Sequence, residues 1–177
     1  SIECWEKHRE IYNNAATLNL MDSEDRFSLG FSTFFLNRTN RAGILPKAGP
    51  IGGRRQEGTY RLNARFKKDV LINRIRKISA LRDRIIFTSD DALAFIKNLA
   101  ARGFEAKKLF MYLDPPYYHR GKELYLNFYN PSDHLRLAEY MKNFNYCKWM
   151  MTYDDCDEIK MLSTSEHVLV KDFTLKY

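Results

Sequence analysis

Apolar residues in the first half of the chain recur at intervals of three and four positions, the spacing of one face of an α-helix. This pattern predicts helices over residues 5–12, 24–36 and 68–81. The second helix carries four phenylalanines at helical spacing: Phe27, Phe31, Phe34 and Phe35. We interpret this aromatic stripe as part of a hydrophobic core rather than as a cofactor-binding surface, because amphipathic helices normally bury such a face.

A long irregular connection separates the second and third predicted helices. Residues 44–60 contain several prolines and glycines, and the segment is longer than an ordinary connection in a compact domain. Gly52 and Gly53 lack the Gly-Lys-Ser/Thr sequence and the preceding strand of a nucleotide-binding P-loop, so we exclude such a loop here. The third helix then has one apolar face, formed by Leu71, Ile75 and Ile78.

From about residue 84 onward, short apolar runs alternate with helical segments. The runs predict β-strands over residues 84–88, 109–113, 147–153 and 167–175. The segments between them predict helices over residues 92–101, 130–143 and 158–162. Ser89 or Asp90 is expected to cap the first of these helices, and Pro131 opens the second. This alternation is typical of an open α/β sheet, so we divide the chain into residues 1–83 and residues 84–177.

Carboxylates follow three of the predicted strands. Asp91 lies just beyond the first strand, Asp114 directly follows the second, and the pair Asp154 and Asp155 follows the third. Ligands of open α/β sheets bind at the carboxyl ends of the strands. We therefore predict a ligand site at this edge of the sheet.

The composition indicates a soluble folded protein. The 177 residues are 45% hydrophobic and 14% aromatic, enough for a sizeable core in one domain or in one domain with an insertion. No apolar run has the length of a transmembrane helix, and the chain does not open on a signal-peptide pattern. The three cysteines are odd in number and form no Cys-x-x-Cys pattern, so neither a disulfide framework nor a zinc site is suggested. We expect a cytoplasmic protein.

The positive charge is concentrated in one segment. The whole chain carries +7, but residues 38–84 contain 14 lysines and arginines against three acidic residues, a local net charge of +11. Such an excess is expected of a surface that binds a polyanion. The alternative is a solvated face that only keeps the protein soluble. The coincidence of the charge with the irregular connection favours DNA.

The most informative stretch is KKLFMYLDPPYY, residues 107–118. Its apolar run ends at Asp114, and Pro115 and Pro116 then force a stiff, extended turn. The prolines have no N–H, so the backbone carbonyls of Asp114 and Pro115 stay available as acceptors, and Tyr117 adds a flat ring. A carboxylate, carbonyls and an aromatic face suit a planar group that bears an NH2. The alternative is a turn that only ends the strand, with tyrosines on the surface and no binding role.

The Asp-Pro-Pro-Tyr sequence resembles the DPPY motif of DNA adenine-N6 methyltransferases, and its position after the basic region resembles the Dam-like alpha group of that family. The resemblance implies a partial Rossmann-like sheet with a helical, basic target-recognition insertion, and S-adenosylmethionine (SAM) as the cofactor. It further implies that Asp114, Pro115, Pro116 and Tyr117 are catalytic and hold a flipped adenine. Asp91 and Asp114 would contact SAM, and no metal is required.

The segment at the end of the second predicted helix is similar to the Asn-Arg-Thr segment that Dam-like enzymes carry before their target-recognition region. The resemblance and the basic charge together predict duplex DNA as the partner, with these contact residues: Asn37, Arg38, Thr39, Asn40, Arg41, Lys47, Arg54 and Arg55. The alternative is that Asn-Arg-Thr-Asn is simply a helix C-terminus with its capping hydrogen bonds. A cognate restriction nuclease is a further candidate partner.

One part of the family pattern is absent from the sequence. The family places a Gly-rich SAM loop before the region where this chain begins, and neither that loop nor the short Lys-containing motif before it is found. We therefore expect the rest of the cofactor site to come from a further N-terminal segment or from a subunit. Two other functions stay open: methylation of amino groups in RNA or protein, and a non-catalytic DNA-binding remnant.

Overall fold

The computed structural model of the protein describes residues 1–45, 47–119, 121, 128–163 and 168–174. The chain folds as two units, Ser1–Phe87 and Thr88–Tyr177. The functional division predicted at residues 83 and 84 stays a prediction. None of the described helices is long and apolar enough to cross a membrane.

The first unit is helical and confirms the three predicted helices: α1 is Ile2–Asn13, α2 is Ser23–Thr39 and α3 is Lys68–Ser79. The Asp22 carboxylate caps α2 by accepting hydrogen bonds from the backbone N–H groups of Glu24 and Asp25. Short 3-10 helices follow at Ala15–Thr17, Arg41–Gly43 and Arg82–Arg84. Residues 44–45 and 47–60 form no helix or strand, as predicted.

The core of the first unit forms where α1 packs on α2. Its buried members are Trp5, Phe35, Leu36 and Leu62. The aromatic stripe of α2 is only partly in this core, because Phe35 is buried whereas Phe27 is 73% exposed. The interpretation of the stripe as core therefore holds for Phe35 and is wrong for Phe27 and for Phe31, which is 40% exposed.

The apolar face predicted for α3 is also only partly covered. Leu71 is buried, but Ile75 and Ile78 are 51% and 60% exposed. Apolar spacing identifies the face that a helix can bury, yet it carries no information about which element lies opposite. Only the first turns of α3 are covered within this unit.

A buried asparagine ties α1 to the end of α2. Asn40 is fully buried, and its side-chain carbonyl accepts a hydrogen bond from the Trp5 indole N–H at 2.7 Å. Its side-chain NH2 donates to the Ile44 carbonyl at 2.8 Å. Both polar groups of one side chain are therefore used inside the protein.

We expect Asn40→Leu to lower the free energy of unfolding by about 2–6 kcal/mol, because the buried Trp5 N–H and the partly buried Ile44 carbonyl lose their partner at about 1–3 kcal/mol each. Urea unfolding followed by tryptophan fluorescence measures the change. Asn37→Leu is the matched control, since Asn37 is exposed and makes one hydrogen bond, to the Gly43 carbonyl. Equal losses in the two variants would contradict the structural role of Asn40.

The second unit contains one parallel pair of strands with helices around it. Its elements in chain order are α4 Ala92–Lys97, β1 Phe110–Leu113, α5 Pro131–Lys142, β2 Lys148–Met151 and α6 Asp157–Ser163. Strands β1 and β2 are parallel neighbours, with Phe110 opposite Lys148 and Leu113 opposite Met151. Helix α5 lies between them in sequence, so this part is a β-α-β unit, and Asn130 and Asp133 form a capping box at its start.

The two faces of this strand pair differ in burial. Met111, Leu113, Trp149 and Met151 pack against a core whose buried members come from helices α4 and α5 and the turn after α4: Leu93, Ile96, Leu99, Leu137 and Met141. The opposite face is exposed and apolar, with Phe110, Tyr112 and Met150 each about half exposed or more. Parallel sheets are normally covered on both faces, so the exposure of this face is unusual.

Two of the four predicted strands are wrong in the described residues. Arg82–Arg84 forms a 3-10 helix and residues 85–91 have no regular structure, with Phe87 91% exposed. Residues 168–174 also form no strand, and the remaining ends of that prediction, at 167 and 175, lie outside the described residues. The α/β class is therefore supported by one parallel strand pair and not by a wider sheet.

The first predicted helix of this unit is shorter than expected and has a different cap. Helix α4 ends at Lys97 rather than at residue 101. Its cap is Asp91, whose carboxylate accepts from the Ala94 N–H at 3.0 Å, and not Ser89 or Asp90. Asp90 instead pairs with Arg102 at 2.7 Å.

Candidate functional site

Because β1 and β2 are parallel, their carboxyl ends meet at one edge, and the structure joins these ends through Asp114 and Thr152. The Thr152 backbone N–H donates to the Leu113 carbonyl at 3.1 Å. The Thr152 hydroxyl donates to one carboxylate oxygen of Asp114 at 2.9 Å. Asp114 is otherwise exposed, and its second oxygen has no partner among the described residues. The carboxylate is thus held in place with one oxygen facing solvent.

The two prolines after Asp114 leave acceptors on the backbone. No hydrogen bond within the described part of the chain engages the carbonyl of Asp114 or of Pro115. Pro115 is buried and Pro116 half-buried, so the turn is fixed against the protein. Neither proline has an N–H with which to begin a helix. The predicted set of one carboxylate and two carbonyls is therefore present at the end of β1.

Asp154, beyond the end of β2, holds the chain after the prolines. Its two carboxylate oxygens accept from the backbone N–H groups of Tyr118 at 2.9 Å and of His119 at 3.4 Å. The carbonyl of Tyr117 accepts from the Gly121 N–H at 2.9 Å. Tyr117 is half-buried between these attachments. The sequence pattern places Asp154 at a strand end but contains no signal for these two hydrogen bonds.

A buried histidine packs behind the two strand-end segments. His134, in the first turn of α5, is 1% exposed, and its Nδ1 lies 2.8 Å from the Tyr153 hydroxyl oxygen. Its ring contacts three tyrosine rings, with centroid distances of 5.0 Å to Tyr118, 5.3 Å to Tyr129 and 5.6 Å to Tyr153. No sequence signal identifies His134 as part of the site, because one buried histidine in a helix produces no periodic pattern.

Burial shifts the pKa values of titratable groups in the cluster that His134 forms with the three tyrosines. It lowers the pKa of His134, against the opposing effect of the Asp154 and Asp133 carboxylates. It also raises the pKa of Tyr153 and of Tyr129, and neighbouring negative charge adds to both shifts. At neutral pH the histidine is therefore uncharged and both tyrosines keep their protons.

Asp91, the second residue expected to contact a cofactor, lies beside this cluster. Its carboxylate contributes to the raised pKa of Tyr129, whose ring packs on His134. One oxygen is used to cap α4, and the side chain is exposed. Exposed carboxylates at Asp91 and Asp114 fit the hydroxyl and ammonium groups of SAM, which are hydrogen-bond donors. The described residues include no glycine-rich turn at a strand end.

Three possible metal ligands lie close to one another in the same unit. His119, Cys156 and Glu158 each offer one ligand atom, and these atoms lie within 4.8 Å of one another. His119 Nε2 and Glu158 Oε2 are 3.6 Å apart. The predicted site needs no metal, and the sequence carries no metal signal, because these residues are scattered along the chain. The arrangement could hold a metal ion after small side-chain movements.

The predicted DNA contacts at the end of α2 fall into two groups. Thr39 and Asn40 are buried, and the Thr39 hydroxyl donates to the Phe35 carbonyl at 2.8 Å. Arg38 is half-buried and donates twice to the Arg65 carbonyl, at 3.0 and 3.2 Å. For these residues, the structure matches the alternative of a helix C-terminus with internal hydrogen bonds. Asn37 is exposed.

The four remaining predicted contacts are exposed cations. Arg41 lies in the 3-10 helix just before the irregular connection, and Lys47, Arg54 and Arg55 lie on the connection itself. Arg54 pairs with Glu6 at 3.3 Å. The connection is held in shape by Gln56, whose side-chain NH2 donates to the Ile51 carbonyl and whose carbonyl accepts from the Leu62 N–H, both at 2.8 Å. A cationic surface is therefore presented on a fixed backbone.

One protein family matches nearly all of the chain. Its description is D12 class N6 adenine-specific DNA methyltransferase, and the match covers residues 6–175. That span includes the Asn-Arg-Thr segment, the basic connection and the Asp-Pro-Pro-Tyr turn. No curated protein and no solved structure matches the chain at a significant level.

Proposed function

Because the chain belongs to the D12 class N6 adenine-specific DNA methyltransferase family, whose members methylate adenine in DNA with SAM, we propose that the ends of β1 and β2 form its catalytic site. One observation carries this proposal: the Asp114 carboxylate is fixed by Thr152 at 2.9 Å with one oxygen facing solvent, beside two backbone carbonyls that accept no hydrogen bond from the described residues. These acceptors match the two hydrogens of an exocyclic NH2 group.

In the proposed mechanism, the solvent-facing oxygen of Asp114 and the Pro115 carbonyl accept the two hydrogens of adenine N6. Bonds in these directions orient the nitrogen lone pair away from the ring plane, where it can act as a nucleophile. SAM, when bound, would supply an electrophilic methyl group, whose bond to the SAM sulfur would break to release the thioether S-adenosylhomocysteine, and N6 would then lose one hydrogen as a proton. The Asp114 charge also stabilises the positive charge that develops on N6, which is electrostatic stabilisation of the transition state. Orienting the amine lowers the entropic part of the barrier.

The target base must leave the DNA stack to reach this site, at a cost of a few kcal/mol. We assign Tyr117 to hold it by stacking, which contributes about 1–3 kcal/mol per base in nucleic-acid complexes. Asp154 supports this role, because it fixes the backbone that follows Tyr117. Pro116 contributes the stiffness of the turn.

We further propose that Asp91 and Asp114 contact SAM, and that a further segment or subunit completes the cofactor site. The exposed apolar face of the strand pair, at Phe110, Tyr112 and Met150, supports this second proposal, because a parallel sheet normally has both faces covered. Site-specific modification in the cytoplasm alongside a cognate restriction nuclease stays a prediction.

Labelled methyl transfer tests the proposed function. The complete enzyme is incubated with labelled SAM and duplex DNA, and the DNA is digested and its nucleosides are separated. We expect the label in the deoxynucleoside N6-methyl-2′-deoxyadenosine. Preferential labelling of structured RNA, or of protein, in a competition assay would instead support an amino-methyltransferase with another substrate. Salt-sensitive DNA binding with no SAM binding would identify a non-catalytic remnant.

We propose that Arg41 and the exposed cations of the irregular connection bind the phosphate backbone of DNA. The buried residues Thr39 and Asn40 would fix the end of the helix from which this segment continues. The triple variant Arg41→Gln, Lys47→Gln and Arg55→Gln is expected to weaken DNA binding and to leave kcat nearly unchanged. The plot of log affinity against log salt should become flatter by about 0.9 for each phosphate that is no longer neutralised. Fluorescence anisotropy at several salt concentrations measures both changes.

The control for this experiment removes the same amount of charge from the other unit, by replacing three exposed lysines with glutamine: Lys107, Lys148 and Lys171. If net charge alone attracts DNA, the control and the triple variant will lose equal affinity. A loss confined to the triple variant locates the binding surface on residues 41–55.

A further inference from the structure

We propose that His134 is a positioning residue that holds the two strand-end segments of the catalytic site in register with each other. This inference rests on the proposed function of those segments. His134 contacts one segment through a hydrogen bond and the other through its ring. It touches neither the Asp114 carboxylate nor the proline carbonyls, so its effect on the reaction is indirect.

The hydrogen bond connects His134 to the segment after β2. Tyr153, whose hydroxyl lies 2.8 Å from His134 Nδ1, stands between the two residues that hold the β1 turn. Thr152 binds the Asp114 carboxylate, and Asp154 binds the backbone of Tyr118. A shift of Tyr153 therefore moves both of these attachments together.

The ring of His134 connects it to the segment after β1. The Tyr118 ring lies on it with centroids 5.0 Å apart, and Tyr118 directly follows the residue assigned to stack on the base. The backbone N–H of Tyr118 is held by Asp154 at 2.9 Å. His134 thus closes a loop of contacts that runs through Tyr153, Asp154 and Tyr118.

The buried environment of His134 favours the neutral imidazole. His134 Nε2 is buried and has no hydrogen-bond partner among the described residues, so a proton added to this ring is poorly solvated. The groups around it are the Asp133 and Asp154 carboxylates and the hydroxyl-bearing rings of Tyr118, Tyr129 and Tyr153. The carboxylates favour protonation, but burial outweighs them and lowers the pKa of His134. The imidazole is therefore neutral at neutral pH, and it gains a proton only as the pH falls from about 6.5, the usual histidine value, through the lowered pKa. Below that pKa both ring nitrogens are donors, so Nδ1 can only donate to the Tyr153 oxygen, and a positive charge enters the buried cluster.

The test uses the complete enzyme with the ring-preserving variants His134→Phe and Tyr153→Phe and the double variant. Each single variant removes the hydrogen bond and keeps an aromatic ring. We expect a loss of kcat of about tenfold or more with little change in KM for DNA, because small misplacements of a reacting group are costly. The double variant should lose no more than the worse single variant, because both remove the same contact. In the wild-type enzyme, kcat should fall at acid pH as His134 becomes protonated. In the His134→Phe variant, this fall should be absent.

His8→Phe is the matched control. His8 also has an aromatic environment, with Phe31 and Phe35, and its Nδ1 lies 2.9 Å from the Ser32 hydroxyl, but it belongs to the first unit. We expect it to affect stability and to leave kcat unchanged once the fraction of folded protein is measured by circular dichroism. Wild-type kcat in His134→Phe, strict additivity in the double variant, or an unchanged fall of kcat at acid pH would each overturn the inference.

A failure of the proposed function is distinguishable from a failure of this inference. If wild-type enzyme does not methylate adenine, the proposed function fails and kcat tests nothing about His134. The NMR titration of the His134 imidazole still tests its contact: Tyr153→Phe should change the His134 pKa and leave that of His8 unchanged. No change in either pKa would overturn the contact itself.

Discussion

Asp114→Ala is expected to lower the kcat for adenine methylation by about 10²–10³-fold, with a smaller change in KM for DNA. The substitution removes both the acceptor for one N6 hydrogen and the negative charge beside the nitrogen as that nitrogen becomes cationic. Loss of one preorganised group of this kind typically costs about 2.7–4 kcal/mol of transition-state stabilisation. Steady-state kinetics of labelled methyl transfer to a duplex oligonucleotide, at saturating SAM, measures the effect.

Two comparisons make this result specific. Glu105→Ala removes an exposed carboxylate from the same unit, with one hydrogen bond to Lys108 at 2.9 Å, and should leave kcat unchanged. Asp114→Asn keeps an acceptor oxygen but removes the charge, so it should retain more activity than the alanine variant. An alanine variant with wild-type activity on adenine would exclude Asp114 from the catalytic site.

The helices of this protein could be predicted from sequence because their signals are local. Asp22 caps α2 by bonds to residues two and three positions ahead, and Pro131 begins α5 at the first helical position. Such signals lie within a few residues of the feature that they determine. The predicted helix ends were less accurate than the helices themselves. Helix α2, for example, continues to Thr39, past the predicted end at residue 36.

Whether a predicted strand forms depends on its pairing with a distant segment, and the local sequence carries no information about that pairing. Residues 84–88 have the composition of a strand, but a strand exists only where a neighbour pairs with it. The run at Phe110–Leu113 has such a neighbour in β2, whereas the described structure pairs nothing with residues 85–87. The two runs look similar in sequence, and only long-range pairing separates them.

In the candidate site, too, the residues of a local motif were predicted and the residues that act through long-range contacts were not. The acceptors at Asp114 and Pro115 were predicted because they belong to one short motif. The roles of Thr152, Asp154 and His134 were missed because each contacts residues 16 or more positions away along the chain. In the Asn-Arg-Thr-Asn segment, residue type alone left DNA contact and internal capping open, and burial favours capping for Thr39 and Asn40.

Asp154→Asn is expected to lower kcat by about 10–100-fold, through displacement of the turn that carries Tyr117. The Asp154 carboxylate accepts two backbone hydrogen bonds, from Tyr118 and His119. An asparagine can accept only one of them, because its NH2 group then faces the other N–H and repels it. Loss of the charge also weakens the remaining bond, since bonds to an ionised acceptor are about twice as strong as neutral ones.

The effect of Asp154→Asn should appear in kcat and in the order of the turn, because Asp154 does not contact the base or the cofactor in the proposed site. Hydrogen exchange at the Tyr118 amide should become faster in the variant, since that N–H loses a strong acceptor. Asp155→Asn is the matched control: its carboxylate pairs with Lys160 at 2.6 Å and makes no contact with the turn. Faster exchange at Tyr118 without a loss of kcat would show that catalysis does not depend on the position of this turn, and would remove Tyr117 from the proposed mechanism.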